Sequence, residues 1–327
     1  MPDVHTSVAI GDPQGAETGG ILGWLLQRLN RGIARWPLRR ALALGRGMGW
    51  VYGSVLRYHR RDALDALARS LPDRDAPARR AIVNEMYCQL GMNLIEILRL
   101  DGGRPDDLDD RVRIEGEEIV QEARLRGRGV LILTGHVGNW DLLGMFTGRR
   151  GYPLTIISKE IRPAGVNAMW MRMRREFGVS IVPAHNSYRD CLRVLKHNEL
   201  LGFILDQNRP MEQGIFVDFF GRPASTSPGL AFLAAQSQAP VAPVFIHREG
   251  LDRHVLRALP VIEPPPDRSE ESIRKATQEY TAVIESEIRR HPEQWIWLHR
   301  RWRSQPKKTT ADLQNQEMET ADGADGR

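Results

Sequence analysis

The stretch from residue 128 to residue 144 constrains this chain more than any other. Within it, Val130 to Leu133 is a short apolar run with β-branched members that follows a glycine, a pattern typical of a buried strand. Apolar residues at helical spacing follow over Leu142 to Phe146, which predicts a helix. His136 is therefore expected at the carboxyl end of a strand, the edge of an α/β sheet where ligands bind.

His136 and Asp141 are five positions apart, and Asn139 or Asp141 can cap the following helix. Five residues along a continuous helix turn about 500°, so the two side chains cannot meet on one helix face. They can meet if the chain turns sharply between them, which Gly135 and Gly138 allow. A carboxylate that fixes one imidazole nitrogen leaves the other free to take a proton from a hydroxyl. The alternative is a histidine that hydrogen-bonds a turn and an aspartate that caps a helix.

The segment from Gly135 to Asp141 resembles the catalytic block of the bacterial lipid A biosynthesis acyltransferases, the lauroyl/myristoyl transferase family. This family belongs to the glycerolipid acyltransferase superfamily, which has a His-x4-Asp or His-x4-Glu signature. The resemblance implies that His136 is the general base and that Asp141 orients it. Late lipid A enzymes often carry Glu at the second position, so Asp141 leaves the chemistry intact and the acceptor lipid open.

Two further segments resemble blocks of the same family. Arg174 to Gly178 resembles the second block, which implies that Arg174, with Arg175 beside it, holds a phosphate or a developing oxyanion; the alternative is a solvated basic face. Residues 206–226 resemble the third block, which implies that Asp206 and Gln207 lie beside the active site.

In the third block, Gly221 would let the backbone approach a ligand, and Phe216, Phe219 and Phe220 could wall an acyl-chain pocket. A buried strand and turn would explain the same phenylalanines, and Asp206 could instead pair with an arginine. The segments 239–243 and 292–302 resemble the fourth block and the terminal Trp/Arg motif.

Residues 19–61 contain no Asp or Glu but nine arginines among tryptophans and leucines, which is typical of an interfacial helix on anionic lipid. The alternative is a basic helical arm packed on its own domain. Pro37 is expected to break or kink this helix. No stretch reaches the roughly 18–20 uninterrupted apolar residues that span a bilayer, so the arm is expected to lie on the membrane.

The net charge of +5 and the pI near 9.4 favour an acidic partner, either an anionic membrane or an acidic carrier protein. Nucleic acid is disfavoured because no RNA- or DNA-binding motif with interleaved aromatics is present. Cys88 and Cys191 lack metal-binding spacing and suit a reducing compartment. No secretory signal is evident at the N-terminus. We expect no metal or redox cofactor.

Alternating strand and helix patterns predict an α/β fold, a mixed and largely layered sheet flanked by helices, as in glycerolipid acyltransferases. The length of 327 residues fits one such domain with a helical appendage. We predict a disordered N-terminus over 1–18, the basic amphipathic membrane-associating arm over 19–61, an acyltransferase domain over 62–303 and a disordered tail over 304–327.

The sequence thus predicts a membrane-associated O-acyltransferase at the cytoplasmic face of the bacterial inner membrane. The resemblance implies an acyl thioester donor, acyl carrier protein or acyl-CoA, and a hydroxyl of a lipid A precursor as acceptor. Arg174, and backbone amides near Gly221, would stabilise phosphate or oxyanion charge. Two alternatives stay open: an acyltransferase of the same fold acting on a phosphatidylinositol mannoside-like or ornithine lipid-like acceptor, and a non-catalytic membrane-binding scaffold.

Overall fold

The computed structural model describes residues 20–103, 108–162 and 164–306. Its α-helices, α1 to α11, span Gly20–Ala34, Leu38–Trp50, Arg60–Ser70, Ala76–Asp101, Leu108–Arg111, Glu117–Leu125, Trp140–Arg149, Ala164–Glu176, Tyr188–Lys196, Gly229–Ser237 and Glu270–Arg290. Its strands, β1 to β9, span Val112–Glu115, Val130–Thr134, Leu154–Ser158, Val179–Pro183, Leu200–Ile204, Ile215–Phe219, Arg222–Thr226, Val241–Glu249 and Arg253–Ala258.

Seven strands form one sheet in the order β1-β9-β8-β2-β5-β3-β4. Neighbouring strands run parallel except β8 and β9, which are antiparallel. The predicted class, a mixed α/β sheet flanked by helices, is confirmed. The central strand β2 is buried along its whole length, as expected for a strand covered by helices on both faces.

Strands β2 and β5 are parallel neighbours, paired from Val130 opposite Leu200 to Thr134 opposite Ile204. The residues that follow them therefore meet at the same edge of the sheet. His136 follows β2 by two positions and Asp206 follows β5 by two positions. This register brings together two side chains that are 70 positions apart in the chain.

The N-terminal helices pack on the long helix α4. Helix α1 ends at Ala34, and α2 begins at Leu38 after Pro37, so the predicted break at that proline is confirmed. A Cβ built on Gly91 of α4 would lie 2.0 Å from the carbonyl oxygen of Gly45 of α2. The two helices therefore touch backbone to backbone, and only glycine fits at the crossing.

The predicted domain boundaries at residues 61 and 303 do not coincide with ends of the folded structure. Helix α3 begins at Arg60, so the first boundary lies in its first turn. Past the second, the Ser304 hydroxyl donates to the carbonyl oxygen of Arg209 at 2.8 Å. Of the predicted disordered tail over 304–327, residues 304–306 are described; the rest of that tail and the predicted disorder over 1–18 lie outside the described residues.

Strands β6 and β7 form a separate hairpin closed by the two residues Phe220 and Gly221. Their φ angles are +55° and +69°, the left-handed pair that a two-residue hairpin turn requires. A phenylalanine rarely adopts this conformation. Here its ring is buried, and its amide donates to Glu285 Oε2 at 2.6 Å.

Candidate active site

His136 pairs with Asp206. Its Nδ1 lies 2.7 Å from Asp206 Oδ1, and its backbone amide donates to Asp206 Oδ2 at 2.7 Å. The indole Nε1 of Trp295 donates to the same Oδ2 at 2.7 Å. Asp206 is only 3% exposed, so its carboxylate has lost its hydrogen bonds to water. These three donors replace those bonds. The carboxylate thus holds His136 through both its imidazole ring and its backbone amide.

Asp141 does not hydrogen-bond His136, so the predicted contact between the two is wrong. Asp141 Oδ1 accepts from Arg174 Nη2 at 2.7 Å and from Trp170 Nε1 at 3.0 Å. It lies in the first turn of α7, and both donors lie on α8. The negative charge of Asp141 still acts on the His136 ring, although more weakly than that of Asp206.

The pairing changes the ionisation of both members. Burial alone would lower the pKa of His136, but the charge and hydrogen bond of Asp206 outweigh it, so this pKa is raised. Burial alone would raise the pKa of Asp206, but the positive imidazole and three hydrogen bonds outweigh it and lower that pKa. Asp206 is thus ionised at neutral pH and stabilises a protonated His136, as the orienting carboxylate of a general base must do.

The other ring nitrogen of His136, Nε2, is available to a substrate. A carboxylate at Nδ1 favours the tautomer with the proton on Nδ1, which leaves the lone pair on Nε2. Gln207 Nε2 lies 3.3 Å from it, a contact consistent with an accepting imidazole nitrogen. The ring edge also meets Trp140, with ring centroids 4.9 Å apart. The imidazole is thereby fixed with its basic nitrogen accessible.

His136 opens into a cavity of about 270 Å³. The cavity combines two histidines other than His136 with apolar and aromatic walls; it is lined by Tyr58, His59, His136, Asp206, Gln207, Trp295, Ile296, Leu298 and His299. Among the lining residues there is no serine, threonine or cysteine. The walls therefore combine the His136–Asp206 pair with an apolar surface.

Several residues of the site were not singled out as site residues from the sequence. Trp295 and His299 belong to the terminal Trp/Arg segment, and Tyr58 and His59 lie near the end of the basic arm. Burial lowers the pKa of His299, which therefore stays neutral beside His136. A lone tryptophan or histidine carries no spacing signal, so only the fold could bring these four residues to the cavity.

Five predicted site residues are not among those that line the cavity: Asp141, Arg174, Arg175, Phe220 and Gly221. Arg175 is exposed on α8 and its side chain makes no hydrogen bond or ion pair with the described part of the chain. The amide of Phe220 is used by Glu285, and that of Gly221 donates to Asp218 Oδ1 at 2.9 Å. Neither amide is free to stabilise an oxyanion, so that prediction is wrong.

The phenylalanines predicted to wall an acyl-chain pocket include Phe219 and Phe220, which are buried in an aromatic cluster next to the His136–Asp206 pair. Phe219 contacts Trp295 with ring centroids 5.8 Å apart, and Phe220 contacts Trp297 at 5.9 Å. Because Trp295 bonds Asp206, the cluster supports the carboxylate instead of lining the cavity, as the alternative of a buried strand and turn anticipated. The other alternative, a structural arginine partner for Asp206, is wrong, since its hydrogen bonds go to His136 and Trp295.

A buried ion cluster fixes the loop after His136. Asn139 caps α7, with its Oδ1 accepting from the Leu142 amide at 3.2 Å, and its Nδ2 donates to Glu96 Oε2 at 2.9 Å. Glu96 of α4 also binds Arg248 of β8 through two hydrogen bonds of 3.1 and 2.6 Å. Asn93, one turn earlier on α4, donates to the Gly138 carbonyl at 2.7 Å.

A strained segment forms the other side of the cavity. Residues 51–55 continue α2 as a π-helix, a local distortion that is frequent at functional sites. Arg57 and His59 both have a φ of +52°, and non-glycine residues in that region often mark ligand sites. The Tyr87 hydroxyl donates to the carbonyl of Tyr58 and so fixes the segment.

Comparison with known proteins identifies the family. Residues 12–304 match the sequence profile described as "Bacterial lipid A biosynthesis acyltransferase". The chain belongs to this family. It is 25% identical over 279 residues to "Lipid A biosynthesis acyltransferase 2" of Shigella flexneri, which covers 84% of this chain and 87% of the relative.

This acyltransferase is also similar to relatives with other names. It is 26% identical over 288 residues to the phosphatidylinositol mannoside acyltransferase of Mycolicibacterium smegmatis, which covers 82% of this chain and 89% of that protein. A crystal structure of the 1-acyl-sn-glycerophosphate acyltransferase of Thermotoga maritima matches with a TM-score of 0.38 and 18% identity, covering 78% of this chain and 98% of that one. Acyl transfer is the reaction class that the family assigns to this chain.

Proposed function

We propose that this acyltransferase moves a fatty acyl chain from an acyl thioester to a hydroxyl of a lipid A precursor, with His136 as general base. The observation that carries the proposal is the His136–Asp206 pair, which lies at the carboxyl end of two parallel strands and presents Nε2, 3.3 Å from Gln207 Nε2, to a cavity. The absence of a serine, threonine or cysteine from the cavity lining favours direct transfer without an acyl-enzyme.

In the proposed step, the acceptor hydroxyl binds beside His136 Nε2 and the thioester carbonyl lies next to that hydroxyl. Nε2 takes the hydroxyl proton as the oxygen attacks the carbonyl carbon, and Asp206 stabilises the imidazolium. The tetrahedral intermediate then collapses: the carbon–sulfur bond breaks, and the imidazolium gives its proton to the departing thiolate. The products are an ester and a free thiol, and His136 is neutral again.

Asp141 and Arg174 have a supporting role in this proposal. Arg174 Nη2 and Asp141 Oδ1 form an ion pair at 2.7 Å, and each side chain is 12% exposed. Asp141 lies just past the end of the loop that follows His136. Arg174 Nη1 also donates to Ser158 Oγ at 2.9 Å, so α8 and the end of β3 are joined to the start of α7. Arg174 is not among the residues that line the His136 cavity, so in this proposal it positions the start of α7 through Asp141.

The acceptor is proposed from the family and from the relative of Shigella flexneri, whose name includes lipid A biosynthesis. A second acceptor class is favoured by the similarity to the mycobacterial phosphatidylinositol mannoside acyltransferase over a similar share of the chain. Both are phosphate-bearing glycolipids with a free hydroxyl, so the same chemistry applies. For the donor we propose acyl carrier protein, because the chain is basic and the carrier is acidic; acyl-CoA offers the same thioester.

The N-terminal helices support an interfacial location at the cytoplasmic face of the inner membrane. An exposed apolar stripe runs along α2 and the π-helical turn, at intervals of three or four residues, through Leu44, Met48, Val51, Tyr52 and Val55. It continues to Leu56 and Tyr58 at the cavity. Among the described residues, no helix is long and apolar enough to span a bilayer.

All five arginines of residues 28–40 are exposed, two on α1, one in the link after it and two in the first turn of α2. Arg28 lies 4.5 Å from the ring centre of Trp24, so the aromatic and cationic groups share one surface. Apolar and aromatic side chains inserted at headgroup level, with arginines on anionic phosphates, are the usual composition of an interfacial helix. In this proposal a lipid acceptor reaches His136 along residues 55–59 without leaving the membrane surface.

The test is mass spectrometry of total lipid and lipid A from a strain that lacks this chain, with wild type, His136→Ala or His185→Ala restored. His185 is an exposed histidine outside the cavity lining and serves as the matched control. We expect one acyl chain to be missing from a lipid A species and to return with wild type and His185→Ala only. A normal lipid A with another glycolipid altered would move the acceptor to the second class, and no lipid change at all would favour a scaffold.

A further inference from the structure

A second cavity of about 550 Å³ adjoins the His136 cavity, and His59 lines both. Its lining is mostly polar and cationic; it consists of Ser54, Arg57, His59, Arg60, Arg61, Asp62, Leu64 and Asn84. Three arginines within five positions thus surround one opening beside the candidate base. No role of this second cavity follows from the acyl-transfer step itself.

Two of these arginines have no partner in the described part of the chain. The side chains of Arg57 and Arg61 are exposed and make no hydrogen bond or ion pair with described residues. Arg60 is anchored instead: it donates to Asn84 Oδ1 at 2.7 Å and to the Gly53 carbonyl at 3.3 Å. The cavity therefore has one fixed guanidinium and two that are free to bind an anion.

The acidic residue in the lining does not neutralise the cavity. Asp62 Oδ2 already lies 2.8 Å from His59 Nδ1 and 3.2 Å from Arg300 Nη2. Hydrogen bonds from His59 and Arg300, together with their charges, lower the pKa of Asp62. The negative charge of Asp62 is therefore paired with these two residues. The positive charges of Arg57 and Arg61 remain uncompensated.

The backbone is strained where these cations are presented. Arg57 and His59 sit in the left-handed region directly after the π-helical turn, and that geometry turns the chain from the apolar stripe into α3. The strain is maintained by Tyr87 and Arg60, which bind the segment from α4 and α3. A costly conformation held in this way is typical of a ligand-binding segment.

We infer that this second cavity, lined by Arg57, Arg60 and Arg61, binds a phosphate group of the acceptor lipid and so aligns the lipid's hydroxyl with His136. The inference rests on the proposed function. Guanidinium groups bind phosphate through short charge-assisted hydrogen bonds. The cavity lies between the apolar stripe, where acyl chains would enter, and the His136 cavity, where a hydroxyl would react. An acceptor lipid would place its acyl chains on the apolar stripe, its phosphate in the second cavity and its hydroxyl at His136. The phosphodiester of a carrier protein would have to enter the second cavity from the side that faces the lipid.

The test compares wild type with the double variant Arg57→Gln/Arg61→Gln on two acceptors in mixed micelles. One acceptor is a phosphorylated lipid A precursor and the other is the same lipid after enzymatic dephosphorylation. Each removed charge-assisted hydrogen bond is expected to weaken binding by about tenfold or more. Because the variant removes two such groups, we expect the KM for the phosphorylated acceptor to rise about a hundredfold or more, with the KM for the donor and for the dephosphorylated acceptor unchanged.

Arg274→Gln/Lys275→Gln is the charge-matched control, because both side chains are exposed on α11 outside either cavity. A second readout needs no turnover: cosedimentation of each protein with neutral vesicles that contain the phosphorylated or the dephosphorylated acceptor. We expect the double variant to prefer the phosphorylated lipid less than wild type and the control do, because the arginines of residues 28–40 still attract anionic lipid in all three proteins. The side chains of Arg57 and Arg61 make no hydrogen bond or ion pair with described residues, so the unfolding temperature should not change.

The inference is overturned if the double variant raises the KM for the donor instead, which would assign the cavity to the carrier phosphodiester. It is also overturned if both acceptors are affected equally, which would indicate general attraction to the micelle. If wild type acylates neither lipid, the proposed function fails, and the vesicle assay still decides whether the cavity selects phosphate.

Discussion

Replacing Glu96 by glutamine removes the negative charge that pairs with Arg248 and His254 in a buried cluster. Glu96 and Arg248 are each 1% exposed at the side chain, and His254 is fully buried. Glutamine would turn an N–H₂ group toward the guanidinium of Arg248 and leave a buried cation without its counter-charge. Breaking a buried ion pair by removal of one partner costs about 3–5 kcal/mol of the free energy of unfolding.

For a chain of this length, 1 kcal/mol corresponds to about 2 °C in the unfolding midpoint, so we expect Glu96→Gln to unfold about 6–10 °C below wild type. The assay is a thermal unfolding scan of wild type and Glu96→Gln at one heating rate, with both proteins in one detergent. Glu122→Gln is the matched control, because Glu122 is exposed on α6 and makes no side-chain contact with described residues. A midpoint within about 2 °C of wild type would refute the reasoning that this cluster joins α4 to the sheet.

The same charge links stability to pH. Burial alone would raise the pKa of Glu96, but the charges of His254 and Arg248 outweigh burial and hold this pKa well below its ordinary value. A carboxyl whose pKa is lower in the folded state contributes stability that is present above the unfolded pKa of about 4.3 and lost as pH falls. The difference in midpoint between wild type and Glu96→Gln should therefore be largest near neutral pH and shrink below about pH 4.

Two further predictions concern the N-terminal helices. Gly91→Ala places a Cβ against the backbone of α2, so it should reduce the free energy of unfolding by about 1–3 kcal/mol or more in urea titration, whereas Gly144→Ala, where a Cβ meets nothing within 4 Å, should not. Reversing the charges of Arg35, Arg39 and Arg40 should release the protein from anionic vesicles in flotation assays, and added salt should act the same way; binding unaffected by both would mean that these arginines do not face the lipid.

Much of the fold could be predicted from the sequence because its signals are local. The apolar run at 130–133 lies within β2, and the helix predicted over Leu142 to Phe146 lies within α7. Asn139, one of two predicted caps, is the one that caps α7. Pro37 separates α1 from α2 because proline cannot continue the preceding helix.

The partner of His136 could not be predicted from spacing. The His-x4-Asp resemblance implies Asp141 as the partner, but the carboxylate that bonds the imidazole is Asp206, which follows β5, the strand that pairs with β2. Strand order is a property of the whole sheet, and no local pattern encodes it. Asp206 was placed at the site through the family resemblance, and its contact with the imidazole required the fold.

The central claim is that Asp206, and not Asp141, sets the basicity of His136. Its most direct test is the pH dependence of kcat/KM for acyl transfer by wild type, Asp206→Asn and Asp141→Asn. His136 must be neutral to accept a proton, so wild-type activity should fall as pH drops through a pKa above the ordinary histidine value of about 6.5. Asp206→Asn should lose about 10²–10⁴-fold in rate and shift that fall to lower pH, while Asp141→Asn should shift it less. A larger shift and loss in Asp141→Asn, with Asp206→Asn close to wild type, would contradict the account.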